Sequence, residues 1–192
     1  MMNLTRTQQV IAGLILAALM AVTRGHHFDA INLPSASWAV FFLAGALLTP
    51  RWVFPALFIE ASVLDFIAIQ WQGVSDWCVS PAYWMLVPAY GALWLGGRLY
   101  ARWHSEQLSS LLRLGLFAVA SSFVCYLFSG GGFLYFSGRY PDPSLSLLAE
   151  RIMTYYPQYL STLALYLGLA VLVHISIQGI RSGVHLRLKT PR

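Results

Sequence analysis

Charge is scarce in this chain. Of its 192 residues only 10% are charged, while 58% are hydrophobic. A soluble domain carries about 25% charged residues, so this one has too few to solvate a water-facing surface, and lipid must cover most of it. Lysine occurs once, at Lys189, and no G-x-x-x-x-G-K-[ST] sequence is present. The chain therefore has no phosphate-binding P-loop of its own, and any ATP-driven step needs a partner. Its two cysteines, Cys78 and Cys125, are too few and too far apart for a zinc site or a C-x-x-C redox pair. The net charge of +5 does not indicate nucleic acid, because the basic residues stand singly between apolar blocks.

What the chain does have is long apolar runs, with a mean hydropathy of +0.63. Read between charges and turn residues, they give six expected spans, at 7–23, 38–49, 52–71, 81–100, 111–128 and 155–178. The second is short for a hydrocarbon core of ~30 Å. Trp38, Trp52, Trp71, Trp77, Trp84 and Trp103 fall near span ends, where an aromatic belt would lie. The expected fold class is an all-α membrane protein of six transmembrane helices, forming a single domain over residues 1–192. A cleaved signal peptide at the start is the alternative for the first run, but no clean A-x-A follows it and cleavage would leave an odd number of spans.

Orientation follows from the positive-inside rule. With six spans, one face holds Arg6, Arg51, Arg98, Arg102, Arg113, Arg181, Arg187, Lys189 and Arg192, and the other only Arg24, Arg139 and Arg151. Nine against three places both termini in the cytoplasm. The unusual polar residues then collect on the outer face. His26 and His27 lie in the first outer loop, Asp76 and Cys78 in the second, and Gly130-Gly131-Gly132, Arg139, Asp142, Glu150 and Arg151 in the third. Asp65 lies about two turns below the outer end of the third span.

Several of these residues admit a purely structural role. Asp65 and Glu60 would each cost at least ~2.5 kcal/mol facing lipid, so both are expected to face the bundle. Asp65 there either binds a ligand or pairs with polar neighbours, and Glu60 is structural. Arg24 and His27 fit the membrane interface, His174 a packed site, and the glycine triplet a flexible connection. Cys78 admits three roles: a disulfide with Cys125, an inert buried thiol, or a functional thiolate. A thiol and a histidine alone would hold a bare ion poorly. One soft donor suffices if the metal arrives already caged in a macrocycle such as corrin, which leaves only axial positions open.

The order His26 in the first outer loop, Asp65 in the third span, Trp77-Cys78 followed by Pro81 and Tyr83, and Arg151 before the last span resembles the BtuM family. These are small bacterial inner-membrane proteins of vitamin B12 uptake, similar in fold to the six-helix S components of energy-coupling-factor (ECF) transporters. The resemblance covers essentially the whole chain, through a scattered set of single residues. It implies a cobalamin site open to the periplasm, with Cys78 as axial ligand to cobalt. His26, Asp65, Tyr83 and Arg151 would line or brace that pocket, and Arg151 would meet the phosphate or a propionamide carbonyl. It also implies an ECF-type ATPase module docking on the first helix, where Gly13, Ala17 and Ala21 form a small-xxx-small stripe. Close packing within the bundle explains the same stripe equally well.

Other classes remain in view. One is an S-component-like binder of another vitamin or of a free metal ion, and an organic vitamin without metal would give an exposed thiol no role. An intramembrane enzyme would want a Gly-x-Ser-Gly turn, paired cysteines or paired bundle histidines. A purely structural subunit would carry no coloured ligand.

Overall fold

The computed structural model describes residues 4–24, 33–71, 80–105, 107 and 109–188, with side chains as far as residue 179. Every regular element among them is helical. Helix α1 runs Arg6–Arg24, α2 Ser37–Leu47 and α3 Val53–Trp71. A 3-10 turn over Pro81–Met85 leads into α4, Leu86–Trp103. Helix α5, Ser109–Tyr126, passes through a π-helical turn, Leu127–Gly131, into the short α6, Gly132–Phe136, and α7 runs Leu145–Leu188.

Among the described residues, four helical stretches are long and apolar enough to cross a membrane: Arg6–Arg24, Val53–Trp71, Ser109–Phe136 and Leu145–Gly179. Little of each is buried inside the protein. Leu14 and Ile15 on α1, Ile59 and Phe66 on α3, and Leu112 and Leu116 on α5 are exposed. An apolar surface this extensive is what lipid covers in a membrane protein.

Helix α2 reverses that pattern. Its 11 residues reach only about 16 Å, but Trp38, Val40, Phe41, Phe42, Ala44 and Gly45 are all buried. A helix apolar on every side packs inside protein, so its length need not match the bilayer. Helix α4 lies against it at backbone contact. A Cβ on Gly97 would stand 1.9 Å from the Phe42 carbonyl oxygen, and one on Gly45 would stand 2.1 Å from that of Trp94. On its other side, a Cβ on Gly96 would meet Ser121 of α5 at 2.5 Å. Small residues let the three backbones approach, as packing between membrane helices requires.

The glycine triplet differs from its expectation as a loop. Gly130 and Gly131 lie in the π-helical turn and Gly132 opens α6, so the fifth segment stays helical to Phe136 instead of ending at residue 128. The reason is steric. A Cβ on Gly132 would meet Met85 at 2.7 Å and one on Gly130 the Tyr126 ring at 2.9 Å. The glycines admit the 3-10 turn, and the π turn absorbs the change in helix register. The last segment also begins earlier than expected, at Leu145 rather than 155, and carries Pro157 inside the helix. Trp52, Trp71, Trp84 and Trp103 are exposed, whereas Trp38 is buried against Tyr159 and belongs to the core instead of a belt.

On α1, Gly13 sits 3.6 Å from Leu48 measured from a built Cβ. Ala17 packs on the core. Both are half-buried, as is Ala21, which fits close packing within the bundle.

Gly97→Ala is expected to destabilise the protein by at least ~1–3 kcal/mol, the usual range for overpacking, because the atom opposing the new methyl is backbone. Gly91→Ala, where a Cβ meets nothing within 4 Å, should be neutral or slightly stabilising. Thermal melts of the two variants in detergent compare them directly.

Candidate functional site

The most polar region of the bundle forms around Arg24, the last residue of α1. Its side chain is only 10% exposed, and all three of its nitrogens are used. Nε donates to Asp65 Oδ1 at 2.7 Å and Nη2 to Asp65 Oδ2 at 2.8 Å. Nη1 donates to Ser37 Oγ at 2.8 Å and to the Tyr90 hydroxyl at 2.9 Å. The Tyr83 hydroxyl donates to Asp65 Oδ2 at 2.9 Å. One guanidinium thus joins α1, α2, α3 and α4, and one carboxylate adds the 3-10 turn. A bidentate arginine–carboxylate pair is fixed in direction as well as distance, so the helices meet in one arrangement.

Local structure prepares this contact. The Thr23 hydroxyl accepts from the Ala36 amide at 3.0 Å while donating to the Leu19 carbonyl. That bond holds the start of α2 beside the end of α1. A cation at the α1 C-terminus also meets the negative end of the helix dipole.

Asp65 and Tyr83, two of the expected site residues, are therefore brought together. Both carboxylate oxygens of Asp65 are already engaged, so it acts as a brace. Arg24, expected at the membrane interface, is instead the buried hub of the network, and Ser37 and Tyr90 join it. Their signal in the sequence was indirect: a carboxylate in an apolar helix calls for a cation at similar depth, and Arg24 was at hand. His26 and Cys78 lie outside the described residues. Cys125 is a fully buried free thiol in α5.

Arg151 belongs to a second cluster, separate from the first. Its Nη1 donates to the Tyr140 hydroxyl at 2.7 Å, and its guanidinium stands 5.2 Å from the Tyr140 ring and 5.1 Å from that of Tyr155. The Tyr126 hydroxyl donates to the Arg151 carbonyl at 2.8 Å. Arg151 Nε is buried without a hydrogen-bond partner among the described residues. Aromatic contacts run from here toward Arg24: Tyr126 meets Tyr159 at 6.0 Å, and Tyr159 stacks on Trp38 at 5.0 Å.

Between the two clusters lies a cavity of about 110 Å³, bounded by α2, α4 and α7. Ser35, Ser37, Trp38, Tyr90, Tyr159, Thr162 and Tyr166 line it, and it shares Ser37 and Tyr90 with the Arg24 network. It is smaller than the ~300–1,000 Å³ of a drug-sized pocket. A side arm fits it; a macrocycle does not.

At the other end of the bundle, His104 Nδ1 lies 2.8 Å from the Tyr100 hydroxyl and 3.0 Å from that of Ser110, and the His174 ring meets the His104 ring edge-on at 6.2 Å. His174 is a packed residue, far in sequence from the site. Among the described residues no group of three or more His, Cys, Asp or Glu side chains is placed to hold a metal ion. Glu60 is half-buried in the middle of α3.

Compared with known proteins, the chain matches no family model and no curated protein.

Breaking a buried ion pair by removing one partner costs ~3–5 kcal/mol, because a charge is left uncompensated. Arg24→Met is expected to lose stability on that scale, near the lower end because Asp65 keeps 28% exposure. The double variant Arg24→Met with Asp65→Leu should recover a large part of the loss. Melting temperatures of the two single variants, the double variant and the unmodified protein form the double-mutant cycle that measures it.

Proposed function

We propose that this protein takes up cobalamin across the bacterial inner membrane, as a monomer of six spans similar to the BtuM family and to ECF S components. Both termini lie in the cytoplasm and the ligand site opens to the periplasm. Cys78 coordinates cobalt as a thiolate, His26 and Tyr83 line the site, and Asp65 and Arg151 position it.

The observation that carries this proposal is the Arg24–Asp65–Tyr83 network. In sequence, Arg24 precedes His26 by two residues and Tyr83 follows Cys78 by five. The chain is thus anchored beside both candidate axial donors, at a point where four helices and the 3-10 turn converge. A charged network is costly inside an apolar bundle, which makes this end the natural place for a ligand. Four apolar helical stretches of membrane length among the described residues support a membrane protein, and the nine-to-three distribution of basic residues, counted on six spans, supports cytoplasmic termini.

The chemistry follows from sulfur and cobalt. The metal's charge lowers the thiol pKa and favours the thiolate. Corrin fills the four equatorial positions, so one protein donor is enough. Sulfur displaces the axial ligand already on the metal; with cyanocobalamin the cyanide leaves as the cobalt–sulfur bond forms, so decyanation accompanies binding as a side activity. Release to the cytoplasm is driven either by an ECF-type ATPase module docked at Gly13, Ala17 and Ala21 or by trapping of the vitamin inside the cell.

Purified with cyanocobalamin, the protein is expected to shift the visible spectrum of the corrinoid. Cys78→Ser should abolish that shift and Cys125→Ser should keep it. Equal behaviour of the two variants, or a Cys78–Cys125 disulfide found by mass spectrometry, would remove Cys78 as the ligand and leave His26 as the donor.

Arg151→Ala removes a charged hydrogen-bond donor worth ~1.5–3 kcal/mol. It is expected to weaken cobalamin-dependent growth or uptake roughly ten- to hundredfold with membrane insertion unchanged. Uptake at the unmodified rate would make Arg151 structural. A reporter fused to the C-terminus should be active only in the cytoplasm; a periplasmic signal would overturn the topology.

A further inference from the structure

The cavity between α2, α4 and α7 has a chemistry that neither the cobalt ligand nor the bracing ion pair explains. We infer that it is a subsite for a neutral primary carboxamide; resting on the cobalamin proposal, its occupant is an amide arm at the edge of the corrin.

The hydrogen-bond directions around it decide the class of ligand. The Tyr90 hydroxyl accepts from Arg24 Nη1 at 2.9 Å, which leaves its own proton to donate. The Tyr166 hydroxyl gives its proton to the Pro34 carbonyl at 2.7 Å, so the capacity this lining residue has left is that of an acceptor. Ser35 and Ser37 lie with their hydroxyls 3.0 Å apart, and Ser37 already accepts from Arg24. Thr162 makes no hydrogen bond to another described residue and offers both a donor and an acceptor. Trp38 supplies a flat apolar wall.

Donors and acceptors therefore face the same small space without a free charge. The adjoining cation, Arg24, has its charge paired by Asp65 and both Nη1 hydrogens taken by Ser37 and Tyr90, the two residues it shares with the cavity lining. A carboxylate would find no unpaired cation lining the cavity, and an ammonium no carboxylate. A hydrocarbon arm would leave the hydroxyls unpaired, at a cost for each. A carboxamide accepts at its oxygen from Tyr90 or Thr162 and donates from its nitrogen to Tyr166, Ser35 or Ser37. Size agrees, since about 110 Å³ exceeds the ~10–15 Å³ that holds one water and falls short of a drug-sized pocket.

The test uses the full-length protein in detergent, with cyanocobalamin and propanamide as probes and propionate as the charged control. Thr162→Val removes the uncommitted hydroxyl at constant shape, and Thr162→Phe fills the cavity; neither touches Arg24 or Asp65. Propanamide, but not propionate, should raise the melting temperature of the unmodified protein, and Thr162→Phe should abolish that rise. Cobalamin affinity should fall roughly three- to tenfold in Thr162→Val, the loss of about one hydrogen bond, and further in Thr162→Phe. If both variants bind cobalamin like the unmodified protein, the cavity holds water only, and the subsite is overturned while the transport function stands. If the protein binds no cobalamin yet propanamide still stabilises it through Thr162, the carboxamide site stands and the cobalamin proposal falls. If neither probe binds, both are overturned.

Discussion

The arrangement of the bundle depends on where Arg24 finds its partners. An arginine and an aspartate inside an apolar assembly are each costly alone, by at least ~2.5 kcal/mol near the membrane centre. Together they satisfy each other through two parallel hydrogen bonds. The remaining nitrogen then reaches Ser37 and Tyr90, and the remaining capacity of the carboxylate takes Tyr83. Hydrophobic contact cannot supply this specificity, because in lipid an apolar side chain gains little from meeting protein rather than acyl chain. Directional polar contacts decide which helices meet and in which rotation, so the four hydrogen bonds of Arg24 fix α1 through α4 relative to one another.

Close packing completes what the ion pair begins. Helix α2 is buried on all sides, and α4 meets it at Gly45 and Gly97 with backbone against side-chain-free backbone. That approach brings Tyr90 of α4 over Phe41 of α2 in a stacked contact at 4.3 Å. It is the same tyrosine whose hydroxyl meets Arg24, so the glycine contacts and the charged network position each other. The price in span length is small, because α2 does not face lipid and need not reach across it.

Much of the helical layout was legible in the sequence, and the reason is physical. Apolar runs of membrane length are bounded by charges and turn residues, so α1, α2, α3 and α5 begin within about two residues of the expected positions, while α4 begins five residues late because Pro81–Met85 form a 3-10 turn. Prediction failed where glycine carried more than one meaning. Gly130-Gly131-Gly132 looks like a linker because glycine disfavours helix, yet here it is helical, since only glycine admits Met85 and the Tyr126 ring at that distance. Trp38 misled for a related reason: tryptophan near a span end suggests the interface, but its stacking partner Tyr159 lies 121 residues away and periodicity gives no sign of it. Of the site, Asp65 stood out as a carboxylate in an apolar helix. Arg24 did not, because an arginine at a helix end has an ordinary explanation at the membrane surface.

Arg24 and Arg151, two of the three arginines on the expected outer face, differ in how they are held, and the difference bears on what each is able to do. Arg24 makes four hydrogen bonds to side chains on three other helices, so four of its five N–H groups and its charge are already engaged. Arg151 is held by two tyrosine rings and one hydroxyl. Cation–π contacts hold a guanidinium without consuming its donors, and its Nε remains without a partner among the described residues. The first arginine is suited to fixing helices and the second to meeting something that arrives. Between them, the stack of Trp38 on Tyr159 and the tilted contact of Tyr159 with Tyr126 form a wall of rings. Helix α7 is tied in by hydrogen bonds as well, from the Tyr166 hydroxyl to the Pro34 carbonyl, from the Tyr126 hydroxyl to the Arg151 carbonyl and between the Tyr156 and Ser122 hydroxyls.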